Sequence, residues 1–469
     1  MNMKRKRMVQ CVGILLVVFL CIQFVSCMPK ERTAIRFWHS YTGAQAEVFA
    51  QMVAEYNKTE GKERGVEIFA YYKAPVEELS ANLKELPAYK LPNIIQVSNE
   101  SAYLAYLNGR IVGAEEYLSR EALSKYVPGF LESGRFTLGG GTYIFPIQST
   151  LDVLYLNADL FEDFRAAHPQ FHVGDLRTWD GIYEVAESYY TWSNGSSFIA
   201  IEDFGNYLMT VSSQYTSSII QTGNKGVRIV LNYETLEDIW HFAYGGAIRG
   251  YISTSDNSLN RQMEQEQLIC YLASTESAKW ISGTYEDLEG RKQVLSLQVR
   301  SYPVVSTSYV VIPHNIRGAV VVNRDPVSNA ESYHFLDWVC RHELAYQFCI
   351  EGKGLPVHQD ILKDTQHQMR PLENRTLNTI TSAVYAEACM QAAFLNTYHS
   401  TVFYGSENFI YEVGTSLQKA IQEGVLAVSE FMQEGYSREE SIGMIDTEAA
   451  FQQWIASLET IQNRYSAGH

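Results

Sequence analysis

The chain has little of what nucleic-acid-binding proteins and most enzymes display. Lys and Arg number 37 against 53 Asp and Glu, giving a formal charge of −16. So acidic a chain is a poor partner for nucleic acid or anionic phospholipid, whose phosphates need neutralising cations, but it can accept neutral ligands. There is no G-x-x-x-x-G-K-[ST] loop, so nucleotide hydrolysis is not expected, and neither G-x-S-x-G nor H-E-x-x-H occurs. The 11 histidines form no spaced ligand set. His39 and Ser40 are neighbours on an expected strand and so point to opposite faces, the wrong geometry for a nucleophile and its base. Cysteine is scarce, at 7 residues with no C-x-x-C pair, which argues against a zinc or redox motif. No metal and no cofactor is expected. A glycosidase pair among the many carboxylates is the one enzymatic alternative that pattern leaves open. There is no internal repeat, low-complexity stretch or Pro/Ser-rich linker.

What is present begins with a targeting signal. Lys4-Arg5-Lys6-Arg7 precedes an apolar run, Val9 to Phe24, which is shorter than the roughly 18 residues of a membrane span. Basic flank, short apolar core and small residue describe a secretory signal over residues 1–26. Val25-Ser26-Cys27 then resembles a lipobox, in which Cys27 is diacylated and becomes the first residue. An ordinary cleaved signal or an uncleaved anchor is the alternative. Cleavage would remove four basic residues and no acidic one, making the chain more acidic still. Cys270, Cys340, Cys349 and Cys389 remain, expected as buried free thiols or, in an oxidising compartment, one long-range disulfide. Cys340 and Cys349 fall in one expected helix, Ala330 to Ile350, too far apart along it to be bridged.

Ile35-Arg-Phe-Trp-His-Ser-Tyr-Thr-Gly43 starts as a strand and ends at a helix start. Thr42 is a suitable N-cap and Gln45 completes a capping-box spacing. Val48, Phe49, Met52, Val53 and Tyr56 then recur at helical spacing. Ligands in open α/β sheets bind at the carboxyl ends of strands, so His39, Ser40 and Tyr41 are candidates to face a cleft, whereas Phe37 and Trp38 suit either core or cleft. Strands over Gly65–Tyr72 and Pro92–Val97, with a helix between, continue a βαβ rhythm that predicts parallel pairing. They bring Tyr71, Tyr72, Asn99 and Glu100 to carboxyl edges.

The strand ending Phe-Trp-His-Ser, with Thr-Gly and an amphipathic helix after it, resembles the first strand of extracellular solute-binding proteins, the capture subunits of bacterial ABC importers. The likeness leans to the branch that binds sugars and glycerol phosphate. Gly139-Gly-Gly-Thr-Tyr-Ile-Phe-Pro146 and Leu154-Tyr-Leu-Asn-Ala-Asp-Leu-Phe161 resemble the family's "G-x-x-Y-x-x-P" and "L-x-Y-N-x-D-L-F", which mark the first crossing between lobes. Thr178-Trp179-Asp180 resembles the start of a second-lobe helix. Ala273-Ser274-Thr275-Glu276-Ser277 resembles the "G-x-x-A-M-x-x-x-G-S" region. Phe335-Leu-Asp-Trp338 resembles "A-W-E-F-L-K-F-L", and Gly352-Lys-Gly-Leu-Pro356 resembles the third crossing. Ser437 to Glu440 has a further capping-box spacing. The resemblance spans about residues 33 to 460.

The resemblance implies an α/β clamp of two lobes joined by about three crossings, with lobe one at residues 33–147 plus 319–349 and lobe two at 148–318 plus 350–465. It implies a monomeric lipoprotein held at the membrane in the cell envelope that captures a small molecule for ABC permease subunits and catalyses nothing. Candidate ligand residues are His39, Ser40, Tyr41, Tyr72, Asn99, Glu100, Ser149, Thr150, Phe204, Tyr207, Ser274, Gly318 and Gly354. Aromatic faces would stack on C–H faces of the ligand and hydroxyls and amides would pair with its oxygens. The glycerol-phosphate branch carries an Arg in a late "G-x-R-x-G" segment. The corresponding stretch here, Thr401-Val-Phe-Tyr-Gly405, has none, although Arg375 lies upstream. A neutral carbohydrate or polyol is therefore expected over a phosphorylated ligand.

Overall fold

The computed structural model describes residues 32–136, 140–223, 226–255, 257–265, 267–281, 283–286, 291–364 and 379–466. The signal region with Cys27, together with Gly139 and Arg375, lies outside the described residues. Strand β1, Thr33–His39, buries Ile35, Phe37 and His39 on one face. It feeds helix α1, Gly43–Lys58, whose Val48, Phe49, Met52 and Tyr56 are buried at the expected spacing. The Phe49 ring meets Phe37 edge-on at 5.5 Å, so the periodicities of strand and helix converge on one contact. The expected capping box does not form. The Thr42 side chain caps nothing, and the Gln45 amide turns inward to donate to Gln148 Oε1 at 2.9 Å.

Strands β2, Val66–Tyr72, and β3, Ile94–Gln96, flank β1 in parallel, and helix α2, Asn99–Leu107, follows with Ser98 as a true N-cap. Two long strands organise the rest: β4, Phe145–Asn157, and a later partner. Between them the chain forms α3, Trp179–Trp192, β5, Ile199–Ile201, α4, Phe204–Gln214, β6, Cys270–Ser274, and β7, Leu297–Ser301. As expected, α3 opens with Thr178, whose side chain accepts from the Gly181 N–H, and buries Val185, Ala186 and Tyr189. Strand β8, Val311–Val322, then runs back antiparallel to β4. The sheet order is β2-β1-β3-β8-β4-β6-β5. It is mixed rather than parallel, because β4 and β8 pair antiparallel with their neighbours.

The single helix expected over Ala330–Ile350 is two: α5, Pro326–Arg341, and α6, Ala345–Glu351. His342 is extended between them and its Nδ1 accepts from the Leu344 N–H. Strand β9, Leu355–Pro356, pairs with β4. Helices α7, Thr379–Phe394, α8, Ser406–Gln433, α9, Arg438–Met444, and α10, Thr447–Ser466, complete the chain. Ser437 and Glu440 form the capping box at the start of α9. Cys270, Cys340, Cys349 and Cys389 are buried free thiols. Among the described residues no helix is long and apolar enough to cross a membrane.

Candidate ligand-binding cleft

The middle of β4 carries the change from one half of the sheet to the other. Its first residues pair with β8, which also binds β3, and its last residues pair with β6 and β7. Where the two halves meet there is a cavity of about 390 Å³, within the usual range for a small-molecule site. Asn99 and Ser133 line it from one side. Glu202, Asp203, Asn206 and Ser274 line it from the other. Thr150, Asp152, His314 and Arg317 line it from the crossing strands, and His399, Thr401 and Glu407 from the late chain.

Local structure fixes each of these groups. Ser274 ends β6 and caps the short helical segment after it, its Oγ accepting from the Glu276 N–H, while Tyr155 on β4 donates its hydroxyl to Ser274 O at 2.9 Å. Glu202 and Asp203 follow β5 directly. Asp203 is the N-cap of α4, and the Glu202 carboxylate accepts from Ser277 Oγ and the Ser274 N–H. Asn206, in the first turn of α4, donates to Asp152 Oδ2.

The electrostatics are lopsided. Among the described residues, Asp152, Glu202, Asp203, Glu276 and Glu407 line the cavity against one guanidinium, Arg317. That guanidinium is engaged with Glu276 and with Gly352 O. Burial, with the charges of Asp203 and Glu202, pushes the Asp152 carboxyl up to about 7. Burial likewise raises Glu202 and Glu407. The two imidazoles are held neutral: burial brings His399 down to about 4, and burial, with His399 beside it, holds His314 well below its ordinary range. Their ring centres are 5.5 Å apart. Among the described residues no group of three or more His, Cys, Asp or Glu is arranged to hold a metal ion.

The cleft brings together Asn99, Thr150 and Ser274 from the residues expected there. Glu100 is not among the lining residues, but its backbone interacts with the carboxylate of Glu407, which is. Tyr71 and Tyr72 stand exposed at the end of β2. Other candidates are placed elsewhere. His39 and Tyr41 turn into an aromatic cluster with Phe49 and Phe348, and the Ser40 hydroxyl donates to Gln96 Oε1 at 3.0 Å. Ser149 is fully buried and bonds Asn315 O. Tyr207 is 1% exposed and packs edge-on against Trp179 at 5.1 Å, so its ring is core rather than a stacking platform. Phe204 is half-buried and packs against Tyr207.

Gly318 answers to the backbone, since a Cβ there would stand 2.4 Å from Phe145 O, at the register shift between β8 and β4. Gly354 faces the Gln148 side chain instead, where a Cβ would lie 3.1 Å from Cδ. The residues that sequence reasoning missed are chiefly Asp152, Glu202, Asp203, His314 and His399. Glu202-Asp203 follows a short apolar strand, so the carboxyl-edge rule that found Asn99 would also have found this pair.

No protein-family model matches the chain. It is 28% identical over 166 residues to the sn-glycerol-3-phosphate-binding periplasmic protein UgpB of Rhizobium meliloti, a match taking in 34% of this chain and 36% of that protein. It is similarly 27% identical over 163 residues to UgpB of Brucella abortus. The chain thus matches about a third of the length of these curated relatives. Solved structures match almost throughout. The cyclic alpha-maltosyl-1,6-maltose binding protein of Arthrobacter globiformis superposes with a TM-score of 0.65 at 14% identity, over 92% of this chain and 100% of that one. UgpB of Mycobacterium tuberculosis in complex with glycerophosphocholine gives 0.60 at 13%, over 92% and 99%. The fold is that of the two-lobed extracellular solute-binding proteins, the family to which the chain is similar in its strand and crossing motifs and in the relatives it matches.

Proposed function

We propose that the protein is the substrate-binding component of an ABC import system. In this reading it captures a carbohydrate or polyol that carries no phosphate in the cleft between its halves, delivers it to permease subunits, and catalyses no reaction. The lobes divide at residues 33–147 plus 319–349 and 148–318 plus 350–465, with residues 357–359 leaning on the first lobe through backbone bonds to residues 125–127. The chain works as a monomer, exported and held at the membrane by lipid on Cys27.

The observation that carries the ligand class is the charge of the cavity, where, among the described residues, five carboxylates face one guanidinium that is already engaged with one of them, Glu276. A phosphate there would meet like charge with no free bidentate partner among the described residues. Hydroxyls, by contrast, can donate to the carboxylates and pair with the two imidazoles. The second reading, binding of glycerol 3-phosphate or a glycerophosphodiester, is favoured by the similarity to the two UgpB proteins and to the glycerophosphocholine complex. Calorimetry against saccharides, polyols, glycerol 3-phosphate and glycerophosphodiesters tests it. Binding of saccharides or polyols alone is expected. Micromolar binding of a phosphorylated ligand with no response to any saccharide or polyol would replace the first reading with the second.

A further inference from the structure

We infer that the ligand held in this cleft carries a cationic nitrogen on its hydroxyl-rich framework, as an amino sugar does, and that this nitrogen sits against Asp152, Glu202 and Asp203. The inference rests on the reading of the cavity as the ligand site and narrows its chemistry.

Three carboxylates converge from two elements. Asp152 comes from β4, and Glu202 and Asp203 from the turn between β5 and α4; Asp152 is close enough to feel the charge of both. Their described partners are neutral donors: Asn206 for Asp152 and Asp203, and the Ser274 N–H and Ser277 Oγ for Glu202. Among the described residues, the one guanidinium lining the cavity is spent on Glu276 and Gly352 O. Asp152 is half-buried while Glu202 and Asp203 stand exposed beside it; like charges brought this close repel one another, and a bound ammonium offsets that repulsion.

A second observation points to a ligand independently. His314 is 7% exposed and its Nδ1 has no hydrogen-bond partner, and His399 Nε2 is buried and equally unpartnered. Both residues line the same cavity. Buried ring nitrogens without partners are costly unless something pairs them. Ligand hydroxyls at the imidazole end and an ammonium at the carboxylate end would satisfy both groups at once. The cavity is therefore polarised: neutral nitrogens on one wall, anionic oxygens on another.

The test is calorimetry at pH 7 on the exported chain, using matched pairs that share one hydroxyl framework: glucosamine with glucose, and glucosamine oligomers with their N-acetylated counterparts. At least one amine-bearing member is expected to bind tenfold or more tighter than its neutral partner. That binding should release protons, read as an enthalpy that changes with the buffer, because an adjacent cation favours ionised Asp152. Asp152→Asn should abolish both the preference and the proton release while keeping the fold, with a melting temperature at pH 7 no lower than the parent's. Neutral members binding as well as or better than amines would overturn the inference and leave the saccharide reading standing. Binding of glycerol 3-phosphate alone would overturn both. Lack of response to every amine-bearing probe overturns the inference as well.

Discussion

The backbone N–H of Tyr41 donates to His39 Nδ1 at 3.2 Å, and the two rings stack 4.8 Å apart. An imidazole that accepts at Nδ1 is neutral, and burial lowers its pKa to about 4 from the ordinary 6.5. The unfolded chain therefore binds more protons than the folded one between those values. The contribution is whole above pH 6.5 and is lost as pH falls toward 4. Asp152, raised to about 7, works in the opposite direction, costing stability as pH rises from about 4 to 7, so the raw pH curve mixes the two. The difference between parent and His39→Phe isolates the histidine. Urea unfolding should show that the parent loses about 2 kcal/mol more than the variant between pH 7 and pH 5. Parallel curves would contradict this account.

Gln45 and Gln148 join the first helix to the crossing strand through one buried amide contact. A Cβ on Gly352 would stand 2.0 Å from Gln45 Nε2 and 2.7 Å from Gln148 Oε1. Gly352→Ala should therefore break the contact and cost about 1–3 kcal/mol in chemical denaturation. In a Gln45→Ala background the same change should cost well under 1 kcal/mol, because the closer clash is gone and the Gln148 amide, released from its partner, can swing away from the new methyl. Equal costs in both backgrounds would show that the amide contact is not what Gly352 protects.

The fold was readable where local signals and tertiary packing agree. Phe37 and Phe49 lie on periodic faces that meet as the pattern requires, and Thr178 caps the helix its sequence announces. The site was less readable because chain neighbours on a strand share an edge but not a face. His39, Ser40 and Tyr41 do reach a carboxyl end, yet two of them turn to core and the third to Gln96. The Gln45 spacing suited a cap until a partner 103 residues away claimed its amide. Asp152, His314 and His399 come from three distant segments, and no spacing within the sequence joins them.

Tyr207 offers a sharp contrast between a residue that looks ligand-facing in sequence and one that holds the core. Its ring is enclosed by Trp179 and Phe242. Tyr207→Ala should cost about 3–5 kcal/mol of stability, and Tyr207→Phe should leave ligand affinity within about twofold. A tenfold loss of affinity in the Phe variant, with stability unchanged, would return Tyr207 to the site.

Glu407 gives the clamp a contact that can be tested without any ligand. It stands one residue into α8, lines the cavity, and its carboxylate meets the backbone of Glu100 near the N-terminal end of α2 on the opposite wall. A carboxylate at a helix N-terminus is favourable even though the Glu100 charge and burial oppose it. The contact therefore biases the two halves toward closure by a small amount, about 1 kcal/mol for one hydrogen bond. Removing it should shift the open–closed equilibrium of the empty protein toward open. Small-angle scattering of ligand-free Glu407→Ala should give a larger radius of gyration than the parent, and saturation with ligand should bring the two together. Identical radii without ligand would mean that the Glu407 contact does not hold the halves, and that closure depends on ligand contacts alone.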